Sequence, residues 1–94
     1  MGLTFEWDAR KATKNLRRHR VSFEEAVTVF GDPLSATFPD PDHSDEEDRL
    51  IIIGLSNRQR LLMVSHTEQG DQIRIISARK LTPFERKQYE EAEI

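Results

Sequence analysis

The runs "RLIIIGLS" (49–56), "RLLMVSHT" (60–67) and "QIRIISAR" (72–79) follow one another with only Asn57–Arg58–Gln59 and Glu68–Gln69–Gly70–Asp71 between them. Each is rich in Ile, Leu and Val, has the length of a strand and is bounded by turn-forming residues. Parallel neighbours need a crossover of about a dozen residues or more, so connections this short allow only an antiparallel meander. Gly70 supplies the positive φ that a tight hairpin requires. Apolar side chains fall on both faces: Leu62, Val64, Ile73 and Ile75 on one, Leu61, Met63, Ile76 and Ala78 on the other. Both faces of the sheet therefore need cover, and a face only partly covered is where a site would lie.

The cover comes from either side of the meander. "LTFEW" (3–7) alternates like a short strand, and Asp8 is a candidate N-cap for a helix to about residue 19. In "VSFEEAVTVF", Ser22 and Glu25 form a capping box, while Phe23, Ala26, Val27 and Phe30 recur at helical spacing until Gly31, Asp32 and Pro33 stop the helix. "LSATF" (34–38) is a weaker strand, and 39–48 reads as a loop. Thr82, Pro83 and Glu85 mark the start of a last helix. The order is β-α-α-β-β-β-β-α, an α+β fold. At 94 residues it makes one domain, 1–94, whose core draws on the aliphatic runs with Phe5, Trp7, Phe23, Val27, Phe30 and Phe84.

Composition narrows the function. There is no cysteine, hence no disulfide framework and no thiolate metal site. No apolar run is long enough to span a bilayer and the first residues lack the form of a signal peptide, so a soluble cytoplasmic protein without membrane contact is expected. The net charge of −3 conceals a bipolar chain. Residues 40–48, "DPDHSDEED", hold six acids and no Lys or Arg, so the remainder carries +3. Residues 10–20 hold Arg10, Lys11, Lys14, Arg17, Arg18 and Arg20 without an acid, and a second cationic group comprises Arg74, Arg79, Lys80, Arg86 and Lys87. Fields act locally, within a Debye length of roughly 8–10 Å, so an acidic total does not exclude a nucleic-acid partner.

If Glu68 faces Asp71 across the hairpin, His66 pairs with Ile73, Ser65 with Arg74 and Arg60 with Arg79. Ser65, Thr67, Arg74 and Lys80 then point one way and Arg60, His66 and Arg79 the other, unless the strand end twists or bulges. Each of these residues also has a structural explanation. A strand Arg pairs with a carboxylate, and Glu68, Asp71 and Glu85 are near in sequence; His66 beside apolar residues suits a hydrogen-bonded core histidine; Tyr89 suits a core-edge aromatic. Asp40, Asp42, His43 and Asp45 resemble an oxygen-rich cation site but lack the glycine and terminal Glu of an EF-hand, and His19, His43 and His66 share no ligand spacing. No nucleotide-binding or hydrolase motif is present, so no cofactor and no metal is expected.

"FEWD", the run His19–Arg20–Val21–Ser22–Phe23–Glu24–Glu25–Ala26, "DPDH" and "IRIISARK", in this order, closely resemble the BrnT family of bacterial type II toxins, from about Phe5 to Glu91. One departure is Arg20, where the family pattern suggests Gly. The resemblance implies a RelE-like fold and a translation-arresting endoribonuclease. It also implies a BrnA antitoxin as partner, which binds DNA and carries the toxin to the operator.

Metal-free RNA cleavage by the ribose 2′-OH needs one proton removed, one delivered and the added negative charge held. On this reading Arg74 and Arg79 stabilise charge, Lys80 assists, Glu68 or His66 is the general base, and Tyr89 donates a proton or stacks on a base. Arg60, Arg86 and Lys87 are RNA-binding candidates. Arg10, Lys14, Arg17 and Arg18 either extend the RNA track or receive an acidic segment of the antitoxin. The acidic loop is expected away from the RNA path. The alternatives are a binding module without catalysis and a metal-dependent nuclease using Asp40, Asp42 and His43.

Overall fold

The computed structural model describes residues 2–43 and 48–92. Five strands make one sheet in the order β1-β5-β4-β3-β2. They are β1 (Thr4–Glu6), β2 (Ala36–Pro39), β3 (Arg49–Leu55), β4 (Leu61–Gln69) and β5 (Gln72–Lys80). β2 to β5 pair antiparallel. β1 joins the free edge of β5 in parallel, over Thr4–Gln72, Phe5–Ile73 and Glu6–Arg74. The helices are α1 (Ala9–His19), α2 (Phe23–Thr28) and α3 (Pro83–Ala92). No helix among the described residues is long and apolar enough to cross a membrane.

Asp8 starts α1 by accepting hydrogen bonds from the backbone N–H of Lys11 and Arg10 at 3.2 and 2.8 Å, which holds its carboxyl below the usual range. α1 ends at Arg20, whose φ of 60° is the left-handed conformation in which glycine carries no steric cost. α2 begins at Ser22, whose Oγ accepts from Glu25 N–H at 3.0 Å. The expected box is only half formed, because the Glu25 carboxylate turns inward to Ser56 and Arg60. In α3 the box is complete: Thr82 Oγ1 accepts from Glu25's counterpart there, the Glu85 N–H, at 3.1 Å, and the Thr82 N–H donates back to Glu85 at 2.9 Å.

α1 and α2 cover one face of the sheet. Val21, Phe23, Ala26, Val29, Ile52, Leu62, Val64, Ile73, Ile75 and Ala78 are buried there, with Phe5, Trp7 and Phe30 packed against them. Each fully buried aliphatic or Phe side chain contributes about 1.5–3 kcal/mol. Phe84 does not join this core: it is 69% exposed, because α3 lies apart from α1 and α2 and buries none of its residues.

The hairpin register also departs from the simple alternation. The turn is two residues long, Gly70 at φ 62° and Asp71, so Gln69 pairs with Gln72 and Glu68 with Ile73. A bulge then shifts the ladder between Ser65 and His66: His66 faces Ile75, but Ser65 faces Ser77 and Met63 faces Arg79. Ala78, not Ser77, therefore enters the core, and Arg79 moves to the opposite face. The physical reason is at hand, since unbroken alternation would drive the Arg79 guanidinium into the apolar layer under α1.

Candidate active site

The second face of the sheet is the open one. Its cross-strand rows run Ile51–Ser65–Ser77 and Ile53–Met63–Arg79. Over its β3 end lies the segment after β2, where Pro41–His43 forms a single 3₁₀ turn. Asp40, nearly fully buried, organises that turn. Its N–H donates to Arg49 O at 3.1 Å, its carbonyl accepts from His43 N–H at 3.3 Å, and its carboxylate accepts from Asp42 N–H at 3.0 Å and Ser65 Oγ at 3.4 Å. The result is a cleft of about 250 Å³ in which Asp40, Asp42 and His43 meet Arg49, Ser65, Ser77 and Arg79, with Ile51 and Met63 completing the lining.

Two guanidinium groups, one imidazole and two hydroxyls thus converge with two carboxylates on one small concavity. Arg79 reaches it from β5, and its position is fixed by Glu85 of α3: Nη1 and Nη2 donate to the two carboxylate oxygens at 2.8 and 2.9 Å. This fork raises Arg79 above its ordinary range, and it pulls Glu85 down to about 2, with the Thr82 N–H as second cause. Among the described residues, no three His, Asp or Glu side chains are grouped so as to hold a metal ion.

The sequence-derived candidates divide. Arg79 lies in the cleft. His66 lies on the other face, fully buried; its Nδ1 is 3.2 Å from Val64 O, its Nε2 is 3.1 Å from Glu68, and its ring meets Phe30 edge-on at 4.9 Å. Glu68 is accordingly tied to the hairpin end, beside Asp48, Thr67 and Gln69. Arg74 shares the open face but pairs with Glu6 of β1 at 3.2 Å. Lys80, exposed and opposite Leu62, follows the helix side. Arg60 donates through Nε and Nη2 to the buried Glu25 and through Nη2 to Arg20 O at 3.0 Å, tying the α1–α2 turn to the β3–β4 turn. Tyr89 donates its hydroxyl to Leu34 O at 3.0 Å, holding α3 to the turn that precedes β2. On α3, Arg86 pairs with Glu90, and Lys87 is exposed. Arg10, Lys14 and Arg17 line a shallow groove on the outer side of α1, and Arg18 is exposed nearby.

Cleft residues outside the sequence-derived candidates include His43, weighed there only in a cation site, and Arg49. The available signal was "DPDH" itself, a histidine immediately before a strand that opens with arginine; the surrounding acids made it look like solvated loop. Asp40 and Asp42 line the cleft beside Arg79, so this part of the acidic segment does not lie away from the site. Asp45, Glu46 and Glu47 fall outside the described residues.

The sequence matches the protein family described as "Ribonuclease toxin, BrnT, of type II toxin-antitoxin system" over residues 7–85. Among solved structures, the fold is similar to the Brucella abortus ribonuclease toxin BrnT, with 23% identity, a TM-score of 0.67, and coverage of 85% of this chain and 97% of that one. A comparison with curated proteins finds no match.

Proposed function

The chain belongs to the BrnT family of type II ribonuclease toxins, and from that premise we propose that it cleaves RNA without a metal ion in the cleft between the 3₁₀ turn and the open face of the sheet. The observation that carries the reading is the meeting of Arg79, Arg49 and His43 in one concavity. The ribose 2′-OH attacks the adjacent phosphorus, the P–O5′ bond breaks, and a 2′,3′-cyclic phosphate and a 5′-OH result. Arg49 and Arg79 hold the charge that builds on the non-bridging oxygens, since guanidinium binds phosphate through a planar fork. His43 moves the proton, imidazole being the side chain suited to both directions of transfer near neutral pH. Ser65 and Ser77 offer hydrogen bonds to the phosphate. His66 and Glu68 have no part in this scheme, because the first is sealed in the core and the second is bound to it.

The same reading makes the chain a single toxin domain with a RelE-like arrangement, acting on cytoplasmic RNA and blocking translation. Its partner is a BrnA-like antitoxin, through which alone it meets operator DNA. The outer side of α1, with Arg10, Lys14, Arg17 and Arg18, is the surface that suits an acidic antitoxin segment.

The test is purified protein, free of antitoxin, incubated with RNA in excess chelator beside Arg79→Ala, Arg49→Ala and His43→Ala. Wild type is expected to yield 2′,3′-cyclic or 3′-phosphate ends, and each variant to fall by about 10²–10³-fold while remaining folded. Full activity in all three variants would remove the cleft from the mechanism, and abolition of wild-type cleavage by chelator would favour a metal-dependent nuclease. Intact RNA in the presence and absence of ribosomes would favour the module that binds without cutting.

A further inference from the structure

Beside the cleft, under α3, runs a second and larger groove of about 580 Å³, within the range of roughly 300–1,000 Å³ usual for ligand pockets. Phe38, Pro41, Ile53, Met63 and Tyr89 make it mainly apolar, and Glu85 and Gln88 of α3 give it a polar edge. We infer that this groove is a nucleobase subsite, taking the base of a nucleotide that flanks the scissile phosphate; the inference rests on the proposed ribonuclease reading.

Two features favour this occupant. The groove is continuous with the arginine-bearing cleft: Met63 lines both, Pro41 follows Asp40 and precedes Asp42 of the cleft, and Glu85 on the groove edge holds Arg79 of the cleft. The combined surface therefore offers two guanidinium groups at one end and aromatic side chains at the other, with the phosphate at Arg49 and Arg79 and the flat base against Phe38. Stacking on aromatic side chains is how unpaired RNA bases are held. An apolar protein segment would match the groove but would bring no anion to the two arginines. At the edge, Gln88 has both an amide donor and a carbonyl acceptor to offer the base.

The test uses a short single-stranded RNA made uncleavable by 2′-fluoro in place of every 2′-OH, either with all bases present or abasic at one or the other of two adjacent nucleotides. Binding is followed by fluorescence anisotropy for wild type and Phe38→Ala, with circular dichroism to confirm folding; Phe38 sits on edge strand β2 and is 37% exposed. One abasic substitution should weaken wild-type binding by about tenfold or more, Phe38→Ala should weaken the intact RNA similarly, and the two together should cost little beyond either alone. Abasic RNA that binds wild type as tightly as intact RNA at both positions overturns the subsite, as does full additivity of the two losses. If additivity accompanies a loss of antitoxin binding in Phe38→Ala, the groove is a protein seat instead. Base-dependent binding without cleavage of ordinary RNA would leave the subsite standing and sink the ribonuclease reading.

Discussion

Glu25 shows how much of this fold rests on single polar contacts. Its side chain is 3% exposed, accepts from Ser56 Oγ at 2.7 Å, and is forked by Arg60. Arg60's hydrogen bonds are the first cause of the low Glu25 pKa, opposed by burial and aided by Ser56. A carboxylate whose folded pKa is depressed contributes stability above its unfolded pKa, and that contribution is lost as pH falls from about 4.5 through the folded value. Removing Arg60 leaves the buried charge with the Ser56 hydroxyl and the more distant, exposed Arg58 at 3.9 Å. Arg60→Ala is therefore expected to cost about 3–5 kcal/mol at pH 7. Because protonation relieves the stranded carboxylate, the difference from wild type should shrink between pH 7 and 4 in urea titrations. A difference that stays constant with pH would mean that Arg60 acts by packing alone. Asn15 is a comparable anchor: its amide donates to Val21 O and Ala78 O and accepts from Ala78 N–H, satisfying β5 where β1 has ended.

Among the elements, α3 is the least attached. Its ties to the rest of the domain include the Arg79–Glu85 fork and the Tyr89 hydrogen bond to Leu34, and it buries no residue. Glu85→Gln is expected to loosen α3, seen as faster hydrogen exchange of the amides at 86–92, with a global stability change of about 1 kcal/mol or less. In wild type the fork should persist as pH falls below 4.5 and fail only toward about 2, since the Glu85 pKa is the depressed one. Unchanged exchange in the variant would show that apolar contacts hold the helix. The meander, both N-terminal helices and the Thr82 cap were legible in the sequence because alternation, helical spacing and capping residues are local signals. The bulge was not, because it answers a tertiary demand. Even so, Ile75 and Ala78 stand three apart, and strict alternation would have set Ser77 and Arg79 toward the core, which was the available warning. That one shift shapes the candidate site: it takes Arg79 from the side of His66 and delivers it to Ser65, Ser77 and the 3₁₀ turn. His43 and Arg49 were missed for the same kind of reason, since only the fold brings a loop histidine and the first residue of β3 over the face that β5's arginine reaches.

At the scale of the whole molecule, the sheet separates two arginine-bearing surfaces. α1 packs on one face through Ala12 and Asn15 and presents Arg10, Lys14 and Arg17 outward, whereas Arg49 and Arg79 line a cleft on the other face. An antitoxin segment seated on α1 would not by itself cover the cleft, so neutralisation by simple occlusion requires the partner to wrap around the domain or to hold a second contact. The two surfaces should then be separable by charge reversal. Lys14→Glu with Arg17→Glu is expected to weaken antitoxin binding by about tenfold or more at low salt, with the loss diminishing as ionic strength rises, because exposed charges are screened over roughly 8–10 Å. RNA cleavage by the same variant should stay within about twofold of wild type, while Arg79→Ala should lose cleavage and keep antitoxin affinity. Parallel titration of both variants with antitoxin and with RNA makes the comparison. If the α1 variant loses cleavage as strongly as Arg79→Ala does, RNA crosses both faces, and the basic helix belongs to the substrate track.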